Sequence, residues 1–186
     1  MKYIKTLIGS VVGMALLFSV AAYASDNIST NADSTVGLWT LALSGGGASS
    51  LSNEKLNNSS IGTELELGHT GKLIVPLEGG IRQGLNYSDA TSKDMWSLST
   101  KGYADAQVFK VGVIQTDVGL NAGANYGDQP VKWTAAPEGD LRLWLKKDVN
   151  FFGRIEAPFD LNGNNGNTFL KFEDKLLYTL GLQIRF

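Results

Sequence analysis

The segment Leu176–Phe186 (LLYTLGLQIRF) limits the possible folds of this chain more than any other part of its sequence. Every second residue from Leu176 to Phe186 is apolar, and the positions between them are mostly polar or glycine. Successive side chains of a β-strand point to opposite faces, so this alternation predicts a strand with one apolar face and one mostly polar face. A tilted strand crosses a bilayer in about 10 residues, which fits this segment. The sequence therefore predicts a membrane-crossing β-strand at its C-terminus.

The N-terminal residues have the pattern of a secretory signal peptide. Lys2 and Lys5 precede an apolar run over residues 7–22, and residues 22–24 (AYA) form a small-x-small cleavage site. The run is short for a membrane-spanning helix, so removal after Ala24 is favoured over a retained anchor. We therefore expect the chain to be exported.

The remaining organisation is simple. Residues 1–24 are the predicted signal peptide, residues 25–34 a polar periplasmic lead-in, and residues 35–186 a single barrel domain. The absence of cysteine excludes disulfides, thiolate catalysis and cysteine metal sites. The net charge of −2 argues against a nucleic-acid partner, because nucleic acids usually require a basic face. Glycine is abundant, at 22 residues, and glycine inside strands permits the bends of a small closed barrel.

Period-two alternation predicts eight strands along the chain. The predicted strands are Gly37–Leu43, Ser60–His69, Leu73–Leu85, Met95–Val108, Val118–Tyr126, Asp140–Lys146, Phe151–Asp160 and Leu176–Phe186. An even number of antiparallel strands closes a barrel with both chain ends on one side of the membrane. The alternation slips near Phe109, which predicts a strand end or a β-bulge there.

The predicted connections alternate in length. The odd-numbered connections are long, namely Gly45–Ser59, Asn86–Asp94, Gly127–Gly139 and Leu161–Glu173, and the even-numbered ones are short. Outer-membrane barrels have long external loops and tight periplasmic turns. A soluble sandwich or lipocalin-like barrel also has alternating strands, but its apolar faces point inward. The loop lengths, signal peptide and terminal strand favour an all-β, eight-stranded antiparallel up-and-down transmembrane β-barrel.

If the apolar faces contact lipid, the polar faces line the barrel interior. The charged residues predicted there are Glu64, Glu66, Glu78, Arg82, Lys101, Asp105, Asp140, Arg142, Lys146, Arg154, Glu156, Asp160 and Arg185, with Gln183 beside them. Their acidic and basic groups nearly balance, which predicts a hydrogen-bonded ion network. An eight-stranded barrel is just wide enough for its own side chains, so a plugged interior is the first expectation. A narrow water-filled pore and an internal catalytic site are the alternatives.

Aromatic residues fall near the predicted strand ends, where the headgroup regions of a bilayer favour amphipathic rings. The predicted interface aromatics are Tyr87, Trp96, Tyr126, Phe159 and Tyr178 on the outer side, and Trp39, Phe151, Phe152 and Phe186 on the periplasmic side. Trp133, beside Lys132 in the predicted loop Gly127–Gly139, is a candidate contact for an extracellular partner or a lipopolysaccharide headgroup. An equal alternative is that Trp133 belongs to the outer aromatic belt.

Enzymatic chemistry has little support in the sequence. Some small outer-membrane barrels modify lipid A with a histidine and a serine close to the outer leaflet. The single histidine of this chain, His69, falls in the Gly68–Gly71 turn at the predicted periplasmic end. A general base must lie within hydrogen-bond reach of its substrate, so His69 is at the wrong end for lipid A. We predict no catalytic residue.

No metal or cofactor site is predicted either. The segment Asp160–Gly166 (DLNGNNG) partly resembles the start of a calcium loop. Its glycine falls one place late, and Lys171 occupies the position of the bidentate glutamate. The glycines Gly45–Gly47 are not followed by the Lys-Ser/Thr pair of a phosphate-binding loop.

With its signal peptide, eight alternating segments and terminal strand Leu176–Phe186, the chain resembles the small eight-stranded barrels grouped around the OmpA transmembrane domain and the OmpX/Ail proteins. The resemblance implies a Gram-negative outer membrane, contact with its lipids and lipopolysaccharide, and an assembly machinery that recognises the C-terminal strand with Phe186 as the signal. It also implies envelope integrity, adhesion, or binding of host or phage factors by the external loops. The first expectation is a non-enzymatic plugged scaffold, the alternative a small channel, and the least favoured a lipid A-modifying enzyme.

Overall fold

The described part of the chain consists almost entirely of β-strands. A computed structural model describes residues 37–50, 60–72, 74–90, 93–128, 130–162, 171–173 and 175–186, so the predicted signal peptide and lead-in lie outside it. The strands are β1 (Trp39–Ser50), β2 (Ser60–Lys72), β3 (Pro76–Ala90), β4 (Lys93–Val111), β5 (Ile114–Gly127), β6 (Lys132–Trp144), β7 (Val149–Glu156), β8 (Phe159–Asp160), β9 (Lys171–Phe172) and β10 (Lys175–Arg185).

The strands close into a single antiparallel barrel. Each strand from β1 to β6 pairs with the next, and β10 pairs with both β7 and β1. The two short strands extend this ring, because β8 continues along β6 after a break at Ala157 and Pro158, and β9 pairs with β8. The part of the chain that the structure describes is thus an eight-stranded up-and-down barrel.

The polarity of the barrel is inverted relative to a soluble protein. Leu120, Ile81 and Ile155 on the outer face are 66%, 60% and 58% exposed. Arg82 and Arg142 point inward and are each 1% exposed. A water-soluble barrel would bury the apolar residues and expose the arginines, so the predicted transmembrane β-barrel fold class is confirmed. Within the described residues, no helix is long and apolar enough to cross a membrane.

The two ends of the barrel differ in their connections. The Phe186 end contains Phe186 and the turns at residues 112–113 and 145–148. The loop end is the opposite rim, where residues 51–59 join β1 to β2 and residues 161–170 join β8 to β9. His69 lies at the Phe186 end, as predicted, but within β2 rather than in a turn, and its ring packs edge-on to Trp39 with a centroid distance of 5.1 Å.

Three of the predicted loops at the loop end are strand over part of their length. The first is Gly45–Ser59, because β1 runs to Ser50. The predicted loop Asn86–Asp94 is mostly strand, since β3 runs to Ala90 and β4 begins at Lys93. The predicted loop Gly127–Gly139 is also mostly strand, because β6 begins at Lys132. Backbone pairing with β5 extends past Pro137, which has no N–H group but accepts a hydrogen bond of 3.1 Å from the Ala157 amide through its carbonyl oxygen.

Two finer features concern β4 and β10. The predicted irregularity near Phe109 is confirmed as a register shift between Gln107 and Phe109, although β4 continues to Val111. Leu182 and Ile184 face outward as predicted, yet both are buried. Ile184 packs with Val149 and Leu41 of the flanking strands, so neighbouring outer side chains cover it.

Candidate functional site in the barrel lumen

Side-chain size divides the lumen into two halves. Along β3 the inward position changes from Arg82 to Gly84, and along β6 it changes from Glu138 to Ala136. Both changes run from the Phe186 end towards the loop end. Long charged side chains therefore fill one half, here called the plug, while small residues leave space in the other half.

Arg82 is the first of three arginines that organise the plug. Its Nε donates to Glu66 Oε2 at 2.7 Å, and one terminal nitrogen donates to both oxygens of Glu138 at 2.9 and 2.7 Å. Its other terminal nitrogen donates to Asp105 Oδ2 at 3.2 Å. The guanidinium carbon lies 3.8 Å from the ring centroid of Tyr103, so a flat aromatic face covers this cation as well.

Arg154, on β7, contacts carboxylates on β2 and β6 and shares Glu66 with Arg82. Its Nε donates to Asp140 Oδ1 at 3.0 Å, and its two terminal nitrogens donate to Glu64 at 3.1 Å and Glu66 at 2.8 Å. Glu66 thus lies between Arg82 and Arg154. Such charge-assisted contacts need both partners, because an unpaired buried charge is costly.

Arg142 forms the third centre, nearer the Phe186 end. One terminal nitrogen donates to Glu78 Oε2 at 2.6 Å and to Gln183 Oε1 at 2.8 Å. Its Nε lies 2.7 Å from Asp117 Oδ2. The Gln183 amide nitrogen in turn donates to Glu78 Oε1 at 2.7 Å, so β3, β6 and β10 are joined across the lumen.

An ion pair between Lys101 and Glu156 forms the surface of the plug that faces the loop end. Lys101 Nζ lies 2.7 Å from Glu156 Oε2. The Asn121 amide nitrogen donates to Glu156 at 3.1 Å and to Glu138 at 2.5 Å. This layer is the floor of the open half of the lumen, which Glu64 borders from β2.

Carboxylates outnumber cations in the plug. Among the described residues, five buried cations contact eight carboxylates: Arg82, Lys101, Arg142, Arg154 and Arg185 against Glu64, Glu66, Glu78, Asp105, Asp117, Glu138, Asp140 and Glu156. The predicted near-balance is corrected, because the sequence interpretation omitted Asp117 and Glu138. Glu138 falls in the predicted connection Gly127–Gly139, although it lies two residues from Asp140, a predicted inward residue.

Three predicted interior or interface residues lie elsewhere. Asp160 is half-buried at the loop end, where it lies 3.3 Å from Lys132 Nζ rather than in the plug. Lys146 is exposed in the turn 145–148, because β6 ends at Trp144. Phe152 faces the lumen and is buried beneath Arg154, whose guanidinium carbon is 5.1 Å from its ring centroid.

Gly68 on β2 leaves room for side chains of the plug because it has no side chain of its own. A Cβ atom there would overlap the hydroxyl of Tyr103 and the Oγ1 of Thr40. Both groups donate to the same acceptor, Glu78 Oε1, at 3.2 and 2.9 Å. The missing side chain at Gly68 therefore permits this three-residue hydrogen-bonded cluster.

Two cavities lie on opposite sides of the plug. The larger, at the loop end, has a volume of about 700 Å³ and reaches down to Lys101, Asn121 and Glu156. The smaller, at the Phe186 end, has a volume of about 20 Å³ and is lined by residues that include Glu78 and Arg185. A void of about 20 Å³ holds little more than one water molecule, whereas the larger cavity is of ligand size.

The predicted interface aromatics lie near the barrel ends. Trp39 and Phe186 are exposed at the Phe186 end, with Phe151 on the outer face of β7, and Trp96 and Tyr178 are exposed towards the loop end. Tyr87, Tyr126 and Phe159 are partly buried. Tyr87 packs against Trp96 with tilted rings, Tyr126 hydrogen-bonds to Gln83 and Thr100, and Phe159 packs on Phe172.

Trp133 is part of β6 and not of a loop, which corrects its predicted setting. Its ring is 55% exposed on the outer face. Its backbone amide donates to Asn162 Oδ1 at 2.6 Å. This hydrogen bond joins the start of β6 to the chain after β8. This position suits the outer aromatic belt better than a flexible loop contact.

An ion-pair cluster holds the rim of the loop end. Lys132 and Lys175 each lie 2.6 Å from a different oxygen of Glu173. Burial raises the pKa of Glu173, but its hydrogen bonds and ion pairs with the two lysines outweigh burial, so the pKa lies below the ordinary value for glutamate. The cluster joins β6 to the segment between β9 and β10.

The described residues contain no group of three or more His, Cys, Asp or Glu side chains that is arranged to hold a metal ion. The calcium-like segment Asp160–Gly166 lies partly outside the described residues. In the described portion, Asp160 Oδ1 accepts a hydrogen bond of 2.8 Å from the Asn162 amide, which is a local turn contact.

Together, the closed ring, the apolar outer face and the charged lumen define the class of small transmembrane β-barrels. No family model matches the sequence, and no curated protein does. Among solved structures, the crystal structure of neisserial surface protein A (NspA) matches with a TM-score of 0.51 and 12% identity, over 81% of this chain and 97% of that one. At this identity the likeness establishes the fold alone.

Two further structures are similar at lower scores and do not strengthen the comparison. A de novo designed transmembrane β-barrel matches with a TM-score of 0.45 and 10% identity, over 82% of this chain and 98% of that one. The translocator domain of the autotransporter NalP from Neisseria meningitidis matches with a TM-score of 0.37 and 11% identity, over 96% of this chain and 97% of that one.

Proposed function

We propose that the protein is a non-enzymatic integral outer-membrane scaffold whose lumen is plugged and whose loop end faces outward. The apolar outer face supports the membrane location, since Leu120, Ile81 and Ile155 would otherwise be exposed to water. The terminal strand β10 supports the outer membrane in particular, through its alternation and its aromatic end at Phe186.

The plug is the observation that carries the proposal. Arg82, Arg142 and Arg154 are almost fully buried and contact carboxylates from several strands across the lumen. They separate a cavity of about 700 Å³ from one of about 20 Å³. An ion would have to displace paired charges to pass between them, which is unfavourable in a water-poor interior. A non-conducting barrel is therefore favoured over a channel.

The scaffold would act through the rim at its loop end. The cluster of Lys132, Glu173 and Lys175 holds β6 to the segment between β9 and β10 at this rim, and loops on a rigid scaffold are frequent binding elements. Lipopolysaccharide and an extracellular ligand are the partners that this arrangement suits. Envelope integrity or surface interaction is the resulting role, and β10 with Phe186 would serve the assembly machinery.

The proposal assigns no catalytic step. His69 lies on the outer face near the Phe186 end, with its ring edge-on to Trp39 and away from the lumen. The carboxylates of the plug are engaged by arginine and lysine, which leaves them suited to pairing rather than to acid–base exchange with a substrate.

Single-channel recording tests the plug. The full mature chain, refolded in detergent and shown to be compact by heat-modifiable gel migration, should give no discrete current steps in a planar bilayer. The double variant Arg82→Ser/Glu138→Ser removes one pair across the lumen, and if it remains compact it should give small steps. Reproducible steps from the unaltered protein would overturn the plugged scaffold in favour of the channel.

Fractionation tests the location separately. The full chain expressed in a Gram-negative host should sediment with the outer membrane and shift its gel migration on boiling. Recovery with the inner membrane, or as a soluble periplasmic protein, would contradict the location whatever the conductance result.

A further inference from the structure

We propose that the cavity at the loop end is a binding site for a short neutral oligosaccharide. It has a volume of about 700 Å³, within the range of about 300–1,000 Å³ that is usual for small-molecule sites. The inference goes beyond the scaffold role, because it assigns a ligand to the lumen itself and not to the loops.

Small inward residues create the cavity. Gly62, Gly84, Ser99, Thr134 and Ala136 line it, on strands whose inward positions nearer the Phe186 end hold arginine, glutamate or tyrosine. A Cβ at Gly84 would overlap the hydroxyl of Ser99. The cavity therefore exists because the inward residues at these positions are small. Nearer the Phe186 end, larger inward side chains fill the same barrel cross-section.

The walls are rich in hydroxyl and amide groups that the protein leaves available. Neither the Ser99 hydroxyl nor the Asn86 side-chain amide makes a hydrogen bond within the described residues, and both groups line the cavity. Asn125 makes only a long contact of 3.4 Å to Thr134. Such groups both donate and accept hydrogen bonds, as sugar hydroxyls do.

The charges around the cavity are already compensated. Lys101 pairs with Glu156 at the floor, and at the rim Lys132 and Lys175 pair with Glu173. Glu64 is engaged by Arg154. A charged ligand would have to break one of these pairs, whereas a neutral ligand would leave them intact.

The upper wall adds an apolar surface. Pro130, Val131, Pro158 and Leu177 line the cavity near the rim. A saccharide presents apolar C–H faces as well as hydroxyl groups, so it matches a site that combines apolar side chains above with hydroxyl and amide groups below. An apolar ligand would leave the polar wall unsatisfied.

Calorimetric titration of the full mature chain in detergent tests the site. The neutral probes are maltotriose, cellotriose and triacetylchitotriose, and the charged probes, which are smaller, are spermidine and citrate. We expect at least one neutral trisaccharide to bind and to bind more tightly than either charged probe. No binding by any of the three sugars up to about 20 mM, or tighter binding of a charged probe, would overturn the proposal.

A pair of variants locates the site. Ala136→Trp fills the cavity and should weaken trisaccharide binding by about tenfold or more. Ala135→Trp adds the same ring one residue away on the opposite face of β6 and should leave binding unchanged. Equal binding by both variants would place the sugar elsewhere and refute the cavity site.

Amide chemical shifts of the unaltered protein provide a readout that needs no variant. The trisaccharide that binds should shift the amide signals of Ser99, Asn121 and Asn125, whereas shifts confined to residues outside the cavity would refute the site. Repeating the titration with the same trisaccharide tethered by its reducing end to a soluble carrier separates two sources of this chemistry. Binding of both forms indicates the end of a larger glycan, and binding of the free form alone indicates a soluble sugar.

Discussion

The guanidinium group of Arg82 on β3 and the carboxylate of Glu138 on β6 are joined by two hydrogen bonds of 2.9 and 2.7 Å across the barrel, 56 positions apart in the sequence. The contact spans three strand boundaries of the ring, so it forms only when the barrel is closed. It connects the inward faces of β3 and β6 and blocks the lumen between the two cavities.

Removal of Arg82 should destabilise the folded barrel strongly. Arg82→Ala leaves Glu66, Asp105 and Glu138 with one cation fewer in a buried site, which should cost about 3–5 kcal/mol. The free energy of unfolding is measured by urea titration in lipid vesicles, with tryptophan fluorescence as the signal. Lys146→Ala, in an exposed turn, should change it by less than about 0.5 kcal/mol. Equal effects of the two variants would contradict the plug.

A charged substitution on the outer face should lower the free energy of unfolding more in the middle of the membrane than at its edge. Leu120→Arg, in the middle of β5 and 66% exposed, should lower the free energy of unfolding in a bilayer by about 2–4 kcal/mol. Val113→Arg, in the turn at the Phe186 end, should cost only about 0–1 kcal/mol. In a water-soluble barrel Leu120→Arg would be nearly neutral, so a negligible effect would count against membrane insertion.

Gly68 and Gly71 form a matched pair on β2. Gly68→Ala places a Cβ against Tyr103 and Thr40 and should destabilise the barrel by about 1–3 kcal/mol. Gly71→Ala has open space around its Cβ and should change stability by less than about 0.5 kcal/mol. Urea unfolding of both variants in vesicles compares them directly, and a larger loss at Gly71 than at Gly68 would refute the packing described for the plug.

The rim cluster predicts a pH dependence. The folded-state pKa of Glu173 is depressed by Lys132 and Lys175, so its contribution to stability is present above the unfolded pKa and is lost as pH falls through the folded pKa. The difference in unfolding free energy between the unaltered protein and Glu173→Gln should therefore shrink as pH falls from about 7 to about 3. A difference that grew on acidification would contradict the depressed pKa.

Local alternation was sufficient to predict which way most strand residues face. The alternation predicts Arg82, Arg142 and Arg154 inside, and all three are buried in the lumen, because the face that a strand residue occupies depends only on its position along the backbone. The strand ends were harder. Pro137 and Gly139 made the beginning of β6 resemble a loop, so Glu138 was missed as an interior residue, and Trp133 was assigned to the wrong element.

The sequence by itself determined the all-β barrel, the number of long strands and the charged character of the lumen, since each follows from short-range periodicity. The tertiary structure decided which charges meet, that carboxylates exceed cations in the plug, and that the lumen is filled in one half and hollow in the other. These properties depend on strand register around a closed ring, which brings together side chains such as Arg82 and Glu138 from distant parts of the chain.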